Sequence, residues 1–105
     1  MLGFLKKLLG IGPKVDYAQL VAQGAKIIDV RTPTEYKSGH IQGSINIPLQ
    51  ELSKKAEKLS RDTPIITCCA SGIRSASAKR ILQSMGFKQV YNGGAWHSLE
   101  NKIEG

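Results

Sequence analysis

Two five-residue runs, at residues 26–30 and 64–68, constrain the fold most, because their β-branched, apolar composition is typical of buried strands. Shorter strands are predicted at 44–47 and 88–91. Helices, bounded by capping residues and glycines, are predicted at 16–23, 34–38, 50–59 and 75–85. Apolar strands that alternate with helices predict an α/β fold with a central, mostly parallel sheet of about four or five short strands, covered on both faces.

Smaller features set the expected boundaries of these elements. Thr34 is a candidate cap for the helical turn at 34–38, and Asn92, Gly93 and Gly94 predict a turn. A short final helix that includes Trp96 is expected to follow this turn. In a parallel α/β sheet, ligands bind beyond the carboxyl ends of the strands, so this edge is where we expect a site.

The 105 residues suffice for one domain, which we assign to residues 15–105. Residues 1–14 form an N-terminal extension whose apolar positions fall near helical spacing, so it is a candidate amphipathic helix. Residues 1–12 could contact a membrane surface or a partner, but we favour a short helix or tail folded against the domain. The N-terminus lacks the pattern of a secretory signal, and we expect a cytoplasmic protein.

The formal net charge is +7, with lysines spread along the chain and few aromatic residues. This pattern predicts a solvated cationic surface that attracts small anions, and no nucleic-acid partner. The two cysteines, Cys68 and Cys69, are adjacent, which suits disulfide geometry poorly. They are also too few for a structural zinc site, and His40 and His97 have no metal spacing to them. The remaining roles for the two cysteines are thiol chemistry or simple packing.

Cys69 follows an apolar strand and precedes three small residues, Ala70, Ser71 and Gly72. Small residues let successive backbone N–H groups point at one spot, and the helix that follows adds the positive end of its dipole. A thiol held there should have a lowered pKa and lie beside a site for an anion. Alternation along the strand points Cys68 the opposite way, into the core.

Four motifs resemble those of the rhodanese family of sulfurtransferases. The first two are residues 28–31, which read IDVR, and Glu35 followed by residues 39–48, which read GHIQGSINIP. The third is the loop at 69–75, which reads CASGIRS, and the fourth is Gly93 and Gly94 with Trp96. The resemblance runs from about residue 15 to residue 99.

The resemblance implies a three-layer α/β fold and an enzyme of the thiosulfate:cyanide sulfurtransferase type that needs no metal and no organic cofactor. It implies that Cys69 carries a persulfide, which a small anionic donor such as thiosulfate supplies and a thiol, a protein or cyanide accepts. It places the substrate pocket at five loop residues: Ala70, Ser71, Gly72, Ile73 and Arg74. The chain is expected to act as a monomer.

Five further residues are expected to support the site: Asp29, Arg31, Glu35, His40 and Ser75. We favour a structural charge network in which Asp29 or Glu35 pairs with Arg31, over a position of Arg31 or His40 beside the anion. Trp96 is expected to pack rather than to contact substrate. The loop has no lysine, so the resemblance leaves the natural donor open.

Two alternatives remain at this point. Five residues separate Cys68 from Arg74, which matches the Cys-x5-Arg signature of phosphatases and arsenate reductases. Only four separate Cys69 from Arg74, and this shorter loop suits a sulfur-sized reaction centre. The other alternative is a non-catalytic rhodanese-like binding module, against which the presence of Cys69 argues.

Overall fold

The computed structural model describes residues 14–104. The strands are β1 (Lys26–Asp29), β2 (Ile45–Asn46), β3 (Ile65–Cys69) and β4 (Val90–Ala95). The α-helices are α1 (Tyr17–Ala22), α2 (Pro33–Lys37), α3 (Leu52–Lys55), α4 (Ile73–Ser84) and α5 (Trp96–Glu104). The predicted extension at 1–14 lies outside the described residues, apart from Lys14. Within residues 14–104, no helix combines the length and the apolarity needed to cross a bilayer.

The four strands form one parallel sheet in the order β2-β1-β3-β4. The predicted α/β class and mostly parallel sheet are therefore confirmed. Parallel pairing brings the carboxyl ends of all strands to one edge of the sheet. At this edge Asp29 pairs in register with Cys68, and Cys69 pairs with Ala95. The end of β3 thus lies between the ends of β1 and β4.

Helices cover both faces of the sheet, and β3 is buried along its whole length. On one face, Ile65 and Cys69 pack with residues of α3 and α4, among them Leu82. On the other face, Ile66 and Cys68 pack with Leu99 of α5, and α1 lies against this cluster. The adjacent cysteines therefore face opposite layers, as strand alternation predicts.

Two predicted helices differ from those observed. Helix α2 is capped by Thr32, not by Thr34, because Pro33 occupies its first turn and Glu35 completes a capping box with Thr32. The continuous helix predicted at 50–59 is instead one short α-helix, α3, between two 3-10 turns, Leu49–Glu51 and Ala56–Lys58. The charged face of residues 50–59 predicted one helix. However, only a few positions of this segment, including Leu52 and Ala56, make apolar contacts with the core.

The predicted turn at residues 92–94 is wrong, because these residues lie inside β4. Thr67 of β3 pairs with Asn92, and the register then shifts so that Cys69 pairs with Ala95. Gly93 and Gly94 together lie opposite the single residue Cys68, so β4 has one extra residue at this irregularity. Gly94 has a φ of +79°, a conformation that favours glycine. Glycine marks both turns and bulges, and the sequence pattern does not separate the two.

Gly93 occupies a position with no room for a side chain. A Cβ there would lie 2.8 Å from Cδ2 of Leu99, 2.9 Å from the carbonyl oxygen of Thr67 and 3.0 Å from Cγ2 of Ile66. The Thr67 oxygen belongs to the backbone of the central strand, so it cannot move away without disturbing the sheet. This close approach allows α5 to pack directly over the sheet.

We expect Gly93→Ala to lower the free energy of unfolding by about 3 kcal/mol, the upper part of the range for overpacked cores. Urea denaturation followed by circular dichroism measures this loss. Gly24→Ala is the matched control, because Gly24 has a φ of +102° but nothing within 4 Å of its Cβ position. A loss for Gly93→Ala no larger than the loss for Gly24→Ala would contradict the prediction.

Candidate active site

The loop between β3 and α4 begins at Cys69, the last residue of its strand. Ala70 and Ser71 are exposed at its tip, and Gly72 closes it as the residue before α4, with a φ of +103°. This left-handed conformation favours glycine. A Cβ on Gly72 would lie 3.5 Å from the Cα of Gly94, an ordinary contact distance, so the backbone conformation of Gly72 and not a lack of space is what favours glycine here.

The sulfur of Cys69 is surrounded by hydrogen-bond donors. It accepts the backbone N–H of Gly72 at 2.9 Å and that of Ser75 at 3.3 Å. The hydroxyl oxygen of Ser75 lies 3.5 Å from the same sulfur. These groups belong to the first turn of α4, whose dipole places partial positive charge at its N-terminus. The Cys69 side chain is fully buried beneath the loop.

The two thiols have opposite pKa shifts. Burial acts to raise the pKa of Cys69, but the hydrogen bond with the Ser75 hydroxyl and those from the N–H groups of Ser75, Gly72 and Ser71 lower it overall. The pKa of Cys68 is strongly raised, first by burial and then by the negative charge of Asp29. Of the two sulfurs, therefore, only that of Cys69 is in surroundings that favour a thiolate.

Asn92 is part of this site, although the sequence pattern assigned it to a turn. Its Oδ1 lies 2.6 Å from the Ser75 hydroxyl and accepts the N–H of Gly94 at 2.9 Å. The Ser75 hydroxyl also lies 3.0 Å from the carbonyl oxygen of Gly72. Asn92 thus joins the loop, α4 and β4. A polar residue just before two glycines, at the end of a strand, was the available signal for this role.

Ser75→Ala should shift the pH dependence of Cys69 alkylation toward higher pH. The Ser75 hydroxyl lowers the pKa of Cys69, so its loss raises that pKa and reduces the thiolate fraction at lower pH. Below the pKa, we expect alkylation to slow by about three- to tenfold, the effect of one hydrogen bond, and well above it the rates should converge. Ser84→Ala, at the other end of α4, is the control. An unchanged pH profile for Ser75→Ala would refute this role.

Asp29 and Arg31 form a buried ion pair beside the site. Nε and Nη2 of Arg31 donate to the Asp29 carboxylate at distances of 2.8–3.0 Å. Nη2 also donates to the carbonyl oxygen of Gly39 at 2.7 Å, and the guanidinium lies 4.8 Å from the ring centre of Trp96. Asn46 of β2 donates to the carbonyl oxygens of both Asp29 and Arg31. This cluster fixes the chain that leaves β1.

Of the two carboxylates predicted as alternative partners of Arg31, Glu35 is the one that does not pair with it. Its carboxylate pairs with Arg74, and only its backbone carbonyl oxygen accepts a hydrogen bond from Arg31, at 3.2 Å. Arg31 therefore pairs with Asp29, one of its two predicted carboxylate partners. The pairing with Arg74 ties α2 to the first turn of α4, across 39 residues of sequence.

His40 lies at the surface, away from the hydrogen bonds around the Cys69 sulfur. Its ring stacks on Tyr36 with centroids 3.7 Å apart, and its Nδ1 lies 2.7 Å from the Tyr36 carbonyl oxygen. These contacts fix the end of α2. Over residues 14–104, no group of three or more His, Cys, Asp or Glu side chains is arranged to hold a metal ion.

Comparison with known proteins gives one consistent result. A family model described as "Rhodanese-like domain" matches residues 14–97, which is more than half of the chain. The chain is 39% identical over 69 residues to thiosulfate sulfurtransferase PspE of Escherichia coli, a match that covers 64% of this chain and 66% of PspE. It is 38% identical over 68 residues to YqhL of Bacillus subtilis, covering 65% of this chain and 54% of YqhL.

Solved structures agree with the sequence comparison. The structure described as "rhodanese with anions from E. coli" superimposes with a TM-score of 0.67 at 36% identity, covering 71% of this chain and 91% of the other. By contrast, the matched part of the chain spans less than two thirds of either curated relative. The shared region includes the strand end and loop that carry Cys69.

Proposed function

The chain belongs to the rhodanese-like domain family, and we propose that it is a sulfurtransferase that carries sulfane sulfur as a persulfide on Cys69. The observation that carries the proposal is the pair of N–H groups, of Gly72 and Ser75, that donate to the Cys69 sulfur. The lowered pKa of Cys69 supports a nucleophilic thiolate. The name of the relative PspE, thiosulfate sulfurtransferase, supports the reaction type.

The proposed reaction has two steps. In the first, the Cys69 thiolate attacks the outer sulfur of a donor such as thiosulfate, a new S–S bond forms, and sulfite leaves with the electron pair of the broken S–S bond. In the second, a thiol, a protein or cyanide attacks the outer sulfur of the persulfide and regenerates the thiolate. The donor leaves before the acceptor reacts, so ping-pong kinetics are expected. The reaction requires no redox cofactor or metal.

The residues of the loop have distinct proposed roles. The N–H groups around Cys69 stabilise negative charge on its sulfur and on the persulfide. Residues 70–74 line the pocket for the donor, with Arg74 at the edge. Asp29 and Arg31 act structurally, by holding the end of β1 beside the loop. Trp96 packs on Arg31 and needs no contact with substrate.

A phosphatase that uses Cys68 has less support. The Cys68 side chain packs with Ile66 and Leu99 on the other face of the sheet, and its raised pKa disfavours the thiolate that such chemistry requires. The Cys-x5-Arg spacing from Cys68 therefore lacks a nucleophile that faces the loop. The N–H groups of the loop converge on Cys69 instead.

Intact-protein mass spectrometry tests the proposal. Incubation with thiosulfate should add one sulfur atom to the protein and release sulfite, and cyanide should then remove that sulfur as thiocyanate. An aryl phosphate should not be hydrolysed. A protein that gains no sulfur from either thiosulfate or an organic persulfide, or that turns over the phosphate instead, would refute the proposed function.

A further inference from the structure

The guanidinium of Arg74, two residues after Gly72, is already bound to a carboxylate. Its Nη1 lies 2.8 Å from Oε1 of Glu35, and its Nη2 lies 2.9 Å from Oε2. Two parallel hydrogen bonds of this kind are the strongest geometry for an arginine–carboxylate pair. The hydrogen bond from Arg74, followed by that from the N–H of Thr32, lowers the pKa of Glu35 to about 2. Both partners are therefore charged at neutral pH.

The rest of the loop surface is small or apolar. Residues 69–73 include neither lysine nor arginine. Ala70 and Ser71 are exposed, and Ile73 is 76% exposed beside them. The donors that reach the Cys69 sulfur are neutral groups from Gly72 and Ser75. An incoming donor thus meets backbone dipoles, an isoleucine and a guanidinium whose charge is already matched.

Two classes of sulfur donor are expected to approach this loop at different free-energy cost. Thiosulfate is a dianion, and it must give up part of its hydration to approach the buried sulfur, a cost that a free cation would offset. An organic persulfide, R–S–SH, has at most one charge at its reacting end and needs no such cation. We propose that Glu35 is a specificity-determining residue, which pairs with Arg74 and thereby directs the site toward organic persulfides and away from thiosulfate.

This inference rests on the proposed function, because it concerns the first sulfur transfer. With an organic persulfide, the Cys69 thiolate attacks the outer sulfur of R–S–SH. The new bond to that sulfur forms as the donor S–S bond breaks, and R–S⁻ leaves with the electron pair. The proton stays on the transferred sulfur, so Cys69 becomes Cys–S–SH. With thiosulfate, the same attack expels sulfite, and the total charge is unchanged.

Glu35→Gln tests the role of the carboxylate. Glutamine keeps an oxygen that can accept the N–H of Thr32, now 3.0 Å from Oε1, so the capping box of α2 is retained while the charge is removed. The measurement is the second-order rate constant for adding one sulfur to the full chain, followed by intact mass, with thiosulfate and with cysteine persulfide. We expect the ratio of the two constants to rise about three- to tenfold in favour of thiosulfate, since one partly exposed charge acts on a dianion.

Two further variants identify the source of the change. The double variant Glu35→Gln/Arg74→Gln should return the ratio toward its wild-type value, because the cation freed by the first substitution is gone. Asp62→Asn removes the same charge elsewhere, since Asp62 pairs with Lys88 at 2.9 Å before the start of β3. This pair lies at the amino ends of the strands, opposite the loop, so the ratio should not change.

Several outcomes would overturn the inference. An unchanged ratio in Glu35→Gln would show that the carboxylate does not set donor preference. An equal rise in Asp62→Asn would attribute the effect to net charge, and a double variant that keeps the raised ratio would exclude Arg74 as its source. Sulfur addition from both donors with an unchanged ratio leaves the proposed function standing, whereas no addition from either donor overturns the function itself.

Discussion

Replacement of Cys69 with serine is expected to abolish sulfur addition and to reduce turnover by at least about 10³-fold, as loss of a covalent nucleophile does. A serine hydroxyl does not ionise near neutral pH and cannot hold a persulfide. The hydrogen bonds from Gly72 and Ser75 would remain, but without a thiolate to stabilise. The measurement is the intact mass after incubation with thiosulfate and with cysteine persulfide, together with the rate of thiocyanate formation.

Cys68→Ser is the matched control, because it changes the adjacent thiol in the same way. Cys68 packs among apolar side chains on the other face of β3, so its substitution is expected to cost stability while sulfur addition to Cys69 persists. The opposite result, in which Cys69→Ser still gains sulfur and Cys68→Ser does not, would move the nucleophile by one residue and revive the phosphatase alternative.

Removal of the Asp29 carboxylate is expected to be the most damaging change to stability. Asp29 is fully buried and Arg31 is only 4% exposed, so Asp29→Ala leaves a buried guanidinium without its counter-charge. Arg31 would keep only the carbonyl oxygens of Glu35 and Gly39 as acceptors. Breaking a buried pair in this way costs about 3–5 kcal/mol, a large share of the roughly 5–15 kcal/mol that stabilises a domain.

Equilibrium unfolding in urea, read out by tryptophan fluorescence and circular dichroism, measures this loss. The fluorescence of Trp96 reports on the same cluster, because its ring lies over Arg31. Asp62→Ala provides the comparison, since the pair of Asp62 with Lys88 is exposed to solvent and should contribute little to stability. If Asp29→Ala cost no more than Asp62→Ala, the buried pair would not be the anchor of the strand end.

The layered fold could be predicted from the sequence because short apolar strands and amphipathic helices bury their surfaces in only a few ways. The strands at 26–29 and 65–69 were predicted to within one residue, because β-branched residues dominate them. The opposite orientation of the two cysteines follows from strand alternation alone. The sequence pattern did not distinguish a turn from a bulged strand at Gly93 and Gly94. The bulged strand is required there by the packing of α5 against the sheet, which is not visible in local sequence.

Part of the candidate site was also accessible from the sequence. The loop composition alone predicted donors around Cys69, since small residues before a helix have few other ways to arrange their N–H groups. The pairing of Glu35 with Arg74 was not predictable, because it depends on how two helices approach each other across the sheet edge. The link from Asn92 to Ser75 was missed for the same reason, as it joins β4 to the first turn of α4.

The side chains of Cys68 and Cys69 lie on opposite faces of β3, which bears on the lifetime of the persulfide proposed for Cys69. A neighbouring thiol that attacked the Cys69 persulfide would form an internal disulfide and discharge hydrogen sulfide. Their Cα atoms are about 3.8 Å apart, below the usual disulfide range, and the strand backbone separates their side chains. Cys68 is therefore excluded as a resolving thiol, and in the proposed reaction a sulfur atom on Cys69 would stay there until an acceptor other than Cys68 collects it.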